Sequence, residues 1–265
     1  MNLGLQGKVA VVAAASQGLG KAAAVGLVRE GASVIVCARD RKRLLASAKE
    51  ISRWVRGTKQ AVIPVVADLR KGRDIARVVA AAVRNCGRLD ILITNAGGPP
   101  AGTFPTLDDE KWSEGFTLTL LSVIRLVRAA LPYMQKRKWG RIINITSLTA
   151  RQPVTDLAVS SAIRPAVTGL AKVLANQFGR DGITVNNVAP GYIRTARQVE
   201  LSRMRAAQRS VTEEEYVADL SREVPLGRLG EPGEVADAIV FLASERSGYI
   251  SGITLSVDGG LVKGI

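Results

Sequence analysis

Short, near-continuous apolar runs alternate with longer amphipathic stretches along most of this chain, and few folds accept that alternation. Val9–Ala14 precedes a helical pattern over Leu19–Glu30, Ser33–Ala38 one over Arg41–Val55, and Ala61–Ala67 one over Asp74–Cys86. Leu89–Thr94 leads to a long helix over about Asp108–Lys136, and Arg141–Ser147 to another over about Leu157–Gly179. Ile183–Ala189 then reads as a strand. Repeated strand–helix units predict a parallel sheet, because each crossover helix returns the chain to start the next strand in the same direction. Strands rich in Val, Ile and Ala without polar alternation predict burial on both faces. The fold class is therefore α/β, a doubly wound parallel sheet with helices on both faces, in one domain over 1–265.

After Pro190-Gly191 the pattern turns polar. Thr195–Glu223 reads as one or two helices, with Thr212 and Glu215 forming a capping-box pair. Glu231–Ala243 is a further helix and Ile253–Val257 a last strand. The polar excursion at about 195–224 reads as a lid over a pocket rather than a second domain.

Composition narrows the chemistry. The chain has 265 residues and no histidine, which excludes histidine catalysis and histidine metal ligation. Cys37 and Cys86 show neither metal-ligand nor redox spacing, so no metal site is expected; Cys37 falls in a strand and Cys86 at a helix end. The net charge of +14 favours anionic partners. Its basic residues are scattered, however, and aromatic residues too few for base stacking, so nucleic acid is not an expected partner. No uninterrupted apolar run approaches the ~18 residues of a membrane span. The segment Met1–Gly7 lacks the basic and apolar regions of an export signal, so a cytoplasmic protein is expected.

Val9–Ala14 runs into Ala15-Ser16-Gln17-Gly18-Leu19-Gly20 at the start of a helix. Gly18 and Gly20 would let backbone N–H groups approach a phosphate at the helix's positive end. Here the chain resembles the short-chain dehydrogenase/reductase family, whose motif T-G-x-x-x-G-x-G meets Ala13 at the threonine and Ala14 at the first glycine. A methyl group at residue 14 is tolerable if its φ stays negative. The resemblance continues at Asp68-Leu69 beside the adenine, at Asn95-Ala96-Gly97, and at Pro190-Gly191 with Ile193 and Thr195 beside the nicotinamide. Asp258-Gly259-Gly260 also agrees. It implies a Rossmann-type nucleotide fold with cofactor contacts at these positions and at Ala14, Ser16, Gln17, Gly18, Leu19 and Gly20. Relatives that bind NAD carry an acid at the end of the second strand. This chain has Ala38 there and then Arg39, whose guanidinium can grip a 2′-phosphate, with Ser16 adding a hydroxyl. NADP(H) is expected rather than NAD(H).

The family's Asn-Ser-Tyr-Lys set falls on Thr119, Ser147, Ser160 and Arg164, so three of its four members differ here. A phenol has a pKa near ~10 and can be tuned by a neighbouring cation, whereas an alkanol is far less acidic and reaches less far. Arg164 can fork onto ribose hydroxyls but stays protonated. Losing acid–base help removes roughly 10²–10⁴ in rate. Tyr192, beside Pro190-Gly191, is a candidate replacement acid, with a pocket-lining aromatic as the alternative. Arg151 and Asp156 are candidates for substrate contact, and Gly98-Pro99-Pro100 stiffens the pocket rim.

The resemblance further implies a homotetramer, or a dimer, paired through the two long helices and the last strand. Lys136-Arg137-Lys138 lies where carrier-protein ketoacyl reductases of the family dock their acidic carrier, although charge compensation at a helix C-terminus accounts for the same residues. The function expected is NADP(H)-dependent oxidation or reduction of a small carbonyl or alcohol substrate, anionic or carrier-bound acyl, with Ser147, Ser160, Arg164 and Tyr192 as catalytic candidates. The alternatives are a weakly catalytic NADP(H)-binding sensor or scaffold, and a non-redox lyase on the same fold.

Overall fold

The computed structural model describes residues 2–264; Met1 and Ile265 lie outside the described residues. Seven parallel strands form one sheet: β1 (Val9–Val12), β2 (Ser33–Ala38), β3 (Val62–Val66), β4 (Ile91–Thr94), β5 (Gly140–Ile145), β6 (Ile183–Pro190) and β7 (Thr254–Val257). Their spatial order is β3-β2-β1-β4-β5-β6-β7. The chain winds outward from β1 to β3, then returns to β4 on the other side of β1. That reversal leaves a crevice beyond the carboxyl ends of β1 and β4, the place where such sheets bind ligands.

Alternation along each strand feeds two cores. Ala10, Val12, Val34 and Ile143 pack toward α1 (Gly18–Arg29), α2 (Arg41–Ser52) and α9 (Pro232–Ala243). Val11, Ile35, Leu92 and Ile142 face α3 (Gly72–Cys86), α5 (Ser122–Arg137) and α6 (Ala158–Phe178). Both strand faces are buried, as the unalternating apolar runs predict. Across the centre runs a polar rung: Thr94 donates to Asn144 at 2.7 Å, and Asn144 to Asn187 at 2.9 Å. Strand register places these residues side by side, which ties the carboxyl ends of β4, β5 and β6 together.

The expected long helix over Asp108–Lys136 forms as a continuous run, Asp109–Arg137, with a change of pitch inside it. α4 (Asp109–Phe116) passes through a π-helical turn at Thr117–Leu121 before α5 begins. Asp108 caps it, accepting from the Lys111 N–H at 2.9 Å. The run Asp109–Arg137 is long and apolar enough to cross a membrane by length and composition. It carries Arg125 and Arg128, and its Leu126, Ala130 and Met134 are buried in the core. Beyond the sheet, the expected one or two helices over Thr195–Glu223 are two, α7 (Ala196–Arg209) and α8 (Glu213–Glu223), and the Thr212–Glu215 capping box forms. Cys37 is buried in β2 and Cys86 ends α3; both are free thiols.

Candidate active site

A cavity of about 400 Å³ opens at the carboxyl ends of the central strands. Ala14, Ser16, Gln17, Gly18 and Leu19 form one wall, between β1 and α1. Arg39 stands at one end with Asp68 and Leu69, and Asn95, Ala96 and Gly97 form the floor after β4. Ser147 and Arg164 reach it from β5 and α6, and Pro190, Gly191, Ile193 and Thr195 close the far side. Gly20 alone among the expected cofactor residues lies behind the wall. A Cβ there would stand 2.5 Å from the Ala14 carbonyl oxygen, so this glycine serves helix–turn packing.

The turn corrects one expectation. Ala14 has φ +49°, in the left-handed region, where negative φ was the condition for tolerating its methyl group. An alanine held there costs roughly 1–2 kcal/mol. Its carbonyl lies within 3.5 Å of the Asn95 side-chain amide, which anchors the turn to the floor. Gly18 follows at φ +57°, and α1 starts there with no acidic residue in its first turn. Its positive end is therefore open to an anion.

At the other end, Ala38 is nearly buried and Arg39 and Arg43 both line the cleft. The neighbouring acid, Asp40, caps α2 by accepting from the Arg43 N–H at 2.9 Å, and its carboxylate lies 3.3 Å from the Arg43 guanidinium. Asp68 is forked by Arg70 at 2.8 and 3.1 Å. That hydrogen bonding holds the Asp68 carboxyl below its ordinary range, against the opposing effect of its partial burial.

The reactive end is built differently from its predicted outline. The Ser147 hydroxyl lines the cleft and accepts from the Thr149 N–H at 3.2 Å. Ser160 is buried and does not line the cavity. Its oxygen lies 2.9 Å from the Thr149 hydroxyl and accepts from Arg164 Nε at 3.1 Å. Arg164 Nη1 donates to the Thr146 carbonyl at 2.6 Å and the Ile145 carbonyl at 3.3 Å, and the residue lines the cavity. Loss of hydration pushes the guanidinium down to about 10, and the like charge of Arg197 adds to the effect. Thr119 sits in the π-helical turn with its hydroxyl buried and unpartnered. It borders, with Arg164, Thr94 and Asn95, a void of about 10 Å³, close to the room one water needs.

Three further candidates lie elsewhere. Tyr192 does not line the cleft; its hydroxyl donates to Glu223 at 3.3 Å, and burial, then the Glu223 charge, pushes the phenol up to about 12. Asp156 is held by Arg205 of α7 through bonds of 2.7 and 2.8 Å. Arg151 is exposed and reaches toward the Thr254 carbonyl at 3.5 Å, on the sheet's far edge. Of the basic triplet, Arg137 lies 3.7 Å from Asp90 and Lys138 2.5 Å from Asp181, so two of its three charges face acids of the same chain. Among the described residues no cluster of metal-ligating side chains occurs. Sequence reasoning missed Arg43, Leu118 and Arg197, which also line the cavity. Arg43 was legible as a basic residue in the first turn of the helix that starts just after Arg39; Arg197 gave no signal beyond following Thr195.

Residues 13–262 match a family model described as enoyl-(acyl carrier protein) reductase. The chain is 34% identical to a 3-oxoacyl-(acyl-carrier-protein) reductase of Vibrio harveyi, over 98% of this chain and 99% of that one. L-sorbose reductase from Gluconobacter frateurii, solved with NADPH and L-sorbose, superposes with a TM-score of 0.94 at 32% identity, covering 100% of both chains. A point variant of an actinorhodin polyketide ketoreductase, solved with NADPH, gives 0.92 at 33% identity, covering 97% of this chain and 98% of that one.

Proposed function

The chain belongs to the short-chain dehydrogenase/reductase family, and from that premise we propose an NADP(H)-dependent oxidoreductase acting on a carbonyl or alcohol. One observation carries the reading: a single cleft gathers the glycine turn, the open end of α1, the arginine pair beside Ala38, and Ser147. Gly18 and Leu19 would hold the diphosphate, Arg39 and Arg43 the 2′-phosphate, and Asn95 to Gly97 with Ile193 and Thr195 the nicotinamide half. The NADPH complexes of L-sorbose reductase and of the actinorhodin ketoreductase support the same choice. When bound, the dinucleotide supplies the hydride.

Ser147 would donate to the substrate oxygen and polarise it. Arg164 would hold the ribose hydroxyls through the N–H groups it does not spend on Thr146 and Ile145, and Ser160 would orient that guanidinium rather than pass a proton. Tyr192 does not line the cleft and its hydroxyl donates to Glu223, so water, which can enter the cleft, is the better placed source of the substrate's proton. The lid is α7 and α8. A small substrate, anionic or carrier-bound acyl, a homotetramer and a cytoplasmic location complete the proposal.

The test is NADPH consumption across a carbonyl panel, with Ser147→Ala expected to abolish it. Ser160's seclusion favours a second reading, a weakly catalytic NADP(H) sensor. Tight NADPH binding without turnover on any carbonyl would decide for it.

A further inference from the structure

Arg197 is the second residue of α7 and stands across the cleft from the glycine turn. Its guanidinium lies over Gly98, where a Cβ would come within 2.7 Å of Nε. Nη2 donates to the Pro99 carbonyl at 3.2 Å and Nη1 to Glu200 at 3.1 Å. Glu200 is mostly exposed, so this pair contributes little and exchanges readily. Among the described residues, Nε has no hydrogen-bond partner.

The surroundings of Arg197 are more positive than this one side chain. The starts of α1 and α7 converge: a Cβ on Gly18 would lie 3.6 Å from the Thr195 methyl group. Neither helix has an acid in its first turn, whereas α8 begins with Glu213, Glu214 and Glu215. Each uncompensated helix start presents about half a positive charge. Arg164 lines the same cavity. Two helix starts and a lid guanidinium therefore line one cavity; Glu200 is the acid paired with that guanidinium, while Asp40 and Asp68 of the same cavity are paired with Arg43 and Arg70.

We propose that Arg197 is a clamp that closes over the dinucleotide's diphosphate from α7, exchanging its contacts with Pro99 and Glu200 for phosphate oxygens. This rests on the reading that the cleft takes NADP(H). A diphosphate carries about two negative charges, which the two helix starts and one guanidinium match. Since α7 also carries Arg205, bonded to Asp156, clamping would settle the lid over the nicotinamide half and slow cofactor release.

Calorimetry with NADPH and with adenosine 2′-phosphate separates the clamp from the adenosine end. Arg197→Gln should weaken NADPH binding about 10–100-fold, the range of a lost charge-assisted hydrogen bond. Arg197→Lys, a point charge without the fork, should fall between. Adenosine 2′-phosphate, which lacks the diphosphate, should bind both variants as it binds the wild type. Unchanged NADPH affinity in Arg197→Gln overturns the clamp, as does an equal loss for both ligands, which would mean damage to the whole cleft. Wild-type protein that binds no NADPH overturns the dinucleotide reading itself.

Discussion

Replacing Ala38 with aspartate should invert the cofactor preference, and its size follows from where Ala38 sits. The side chain ends β2, is 8% exposed and lines the cleft beside Arg39. A carboxylate there would face a 2′-phosphate that carries about −1.5 to −2 charges. At roughly 5 Å, each unit of like charge costs about 0.8 kcal/mol in water and about 3 kcal/mol at an effective dielectric near 20. The penalty on NADPH is then about 1–6 kcal/mol. Arg39 and Arg43 would pair with the new acid and absorb part of it, so a loss of about 100-fold is the expected outcome. NADH gains, because the acid accepts from both ribose hydroxyls. Asp40 does not already do this, since its carboxylate caps α2. Titrating wild type and Ala38→Asp with both cofactors by calorimetry gives the ratio directly. A ratio of NADPH to NADH affinity unchanged within about threefold, or ~0.7 kcal/mol, refutes the argument, and a wild type that prefers NADH refutes its premise.

Other consequences are accessible to simpler assays. The double variant Ser160→Tyr with Arg164→Lys should raise NADPH-dependent turnover about 10²–10⁴-fold on a substrate the wild type reduces slowly; steady-state rates no higher than wild type would mean that more than the proton source has changed. Asp156→Asn strips the partly buried Arg205 of its counter-charge and should cost about 1–3 kcal/mol, a melting temperature lower by about 2–5 °C. Co-melting with the wild type would show that contact to be idle. Tyr192 holds its proton to about 12 when folded, against a usual 10, so the unfolded chain ionises first. Its contribution to stability is whole below pH ~10 and lost as pH rises through about 12; Tyr192→Phe should flatten that decline in alkaline melts, and a difference in phenolate absorbance between wild type and Tyr192→Phe that titrates near ~10 in the folded protein would contradict it.

The sheet was almost wholly legible because burial on both faces leaves an unmistakable apolar signature. Ser33–Ala38 is a strand end to end, and other boundaries moved by a residue or two. What escaped were features set by tertiary contact. The π-helical turn at Thr117–Leu121 keeps the hydrophobic period of a helix, so nothing in the residues marks it. The left-handed Ala14 is pinned by the approach of Gly20 and Asn95, neither of which is its neighbour in sequence. The cleft wall was readable because backbone shape and glycine placement build it. The directions of Tyr192, Asp156 and Arg151 were not, because each depends on a partner at least 31 positions away: Glu223, Arg205 and Thr254.

That contrast bears on Ser160 and Arg164. Arg164 spends Nε on Ser160 and Nη1 on Thr146 and Ile145, so its fork is fixed by the end of β5 and by the serine together. A tyrosine at 160 alone would carry its oxygen a ring's width further and withdraw the acceptor from Nε. A lysine at 164 alone would leave the serine with Thr149 only, because its single ammonium has no counterpart to the separate Nε bond of the fork. Each single change thus removes a hydrogen bond from a secluded site without completing an alternative, which costs about 1–3 kcal/mol. The pair is therefore better regarded as one unit than as two substitutions. Groups sharing a hydrogen-bond network respond non-additively, so restoring activity requires both changes, and a single variant that gained as much as the double would show that the two residues act independently.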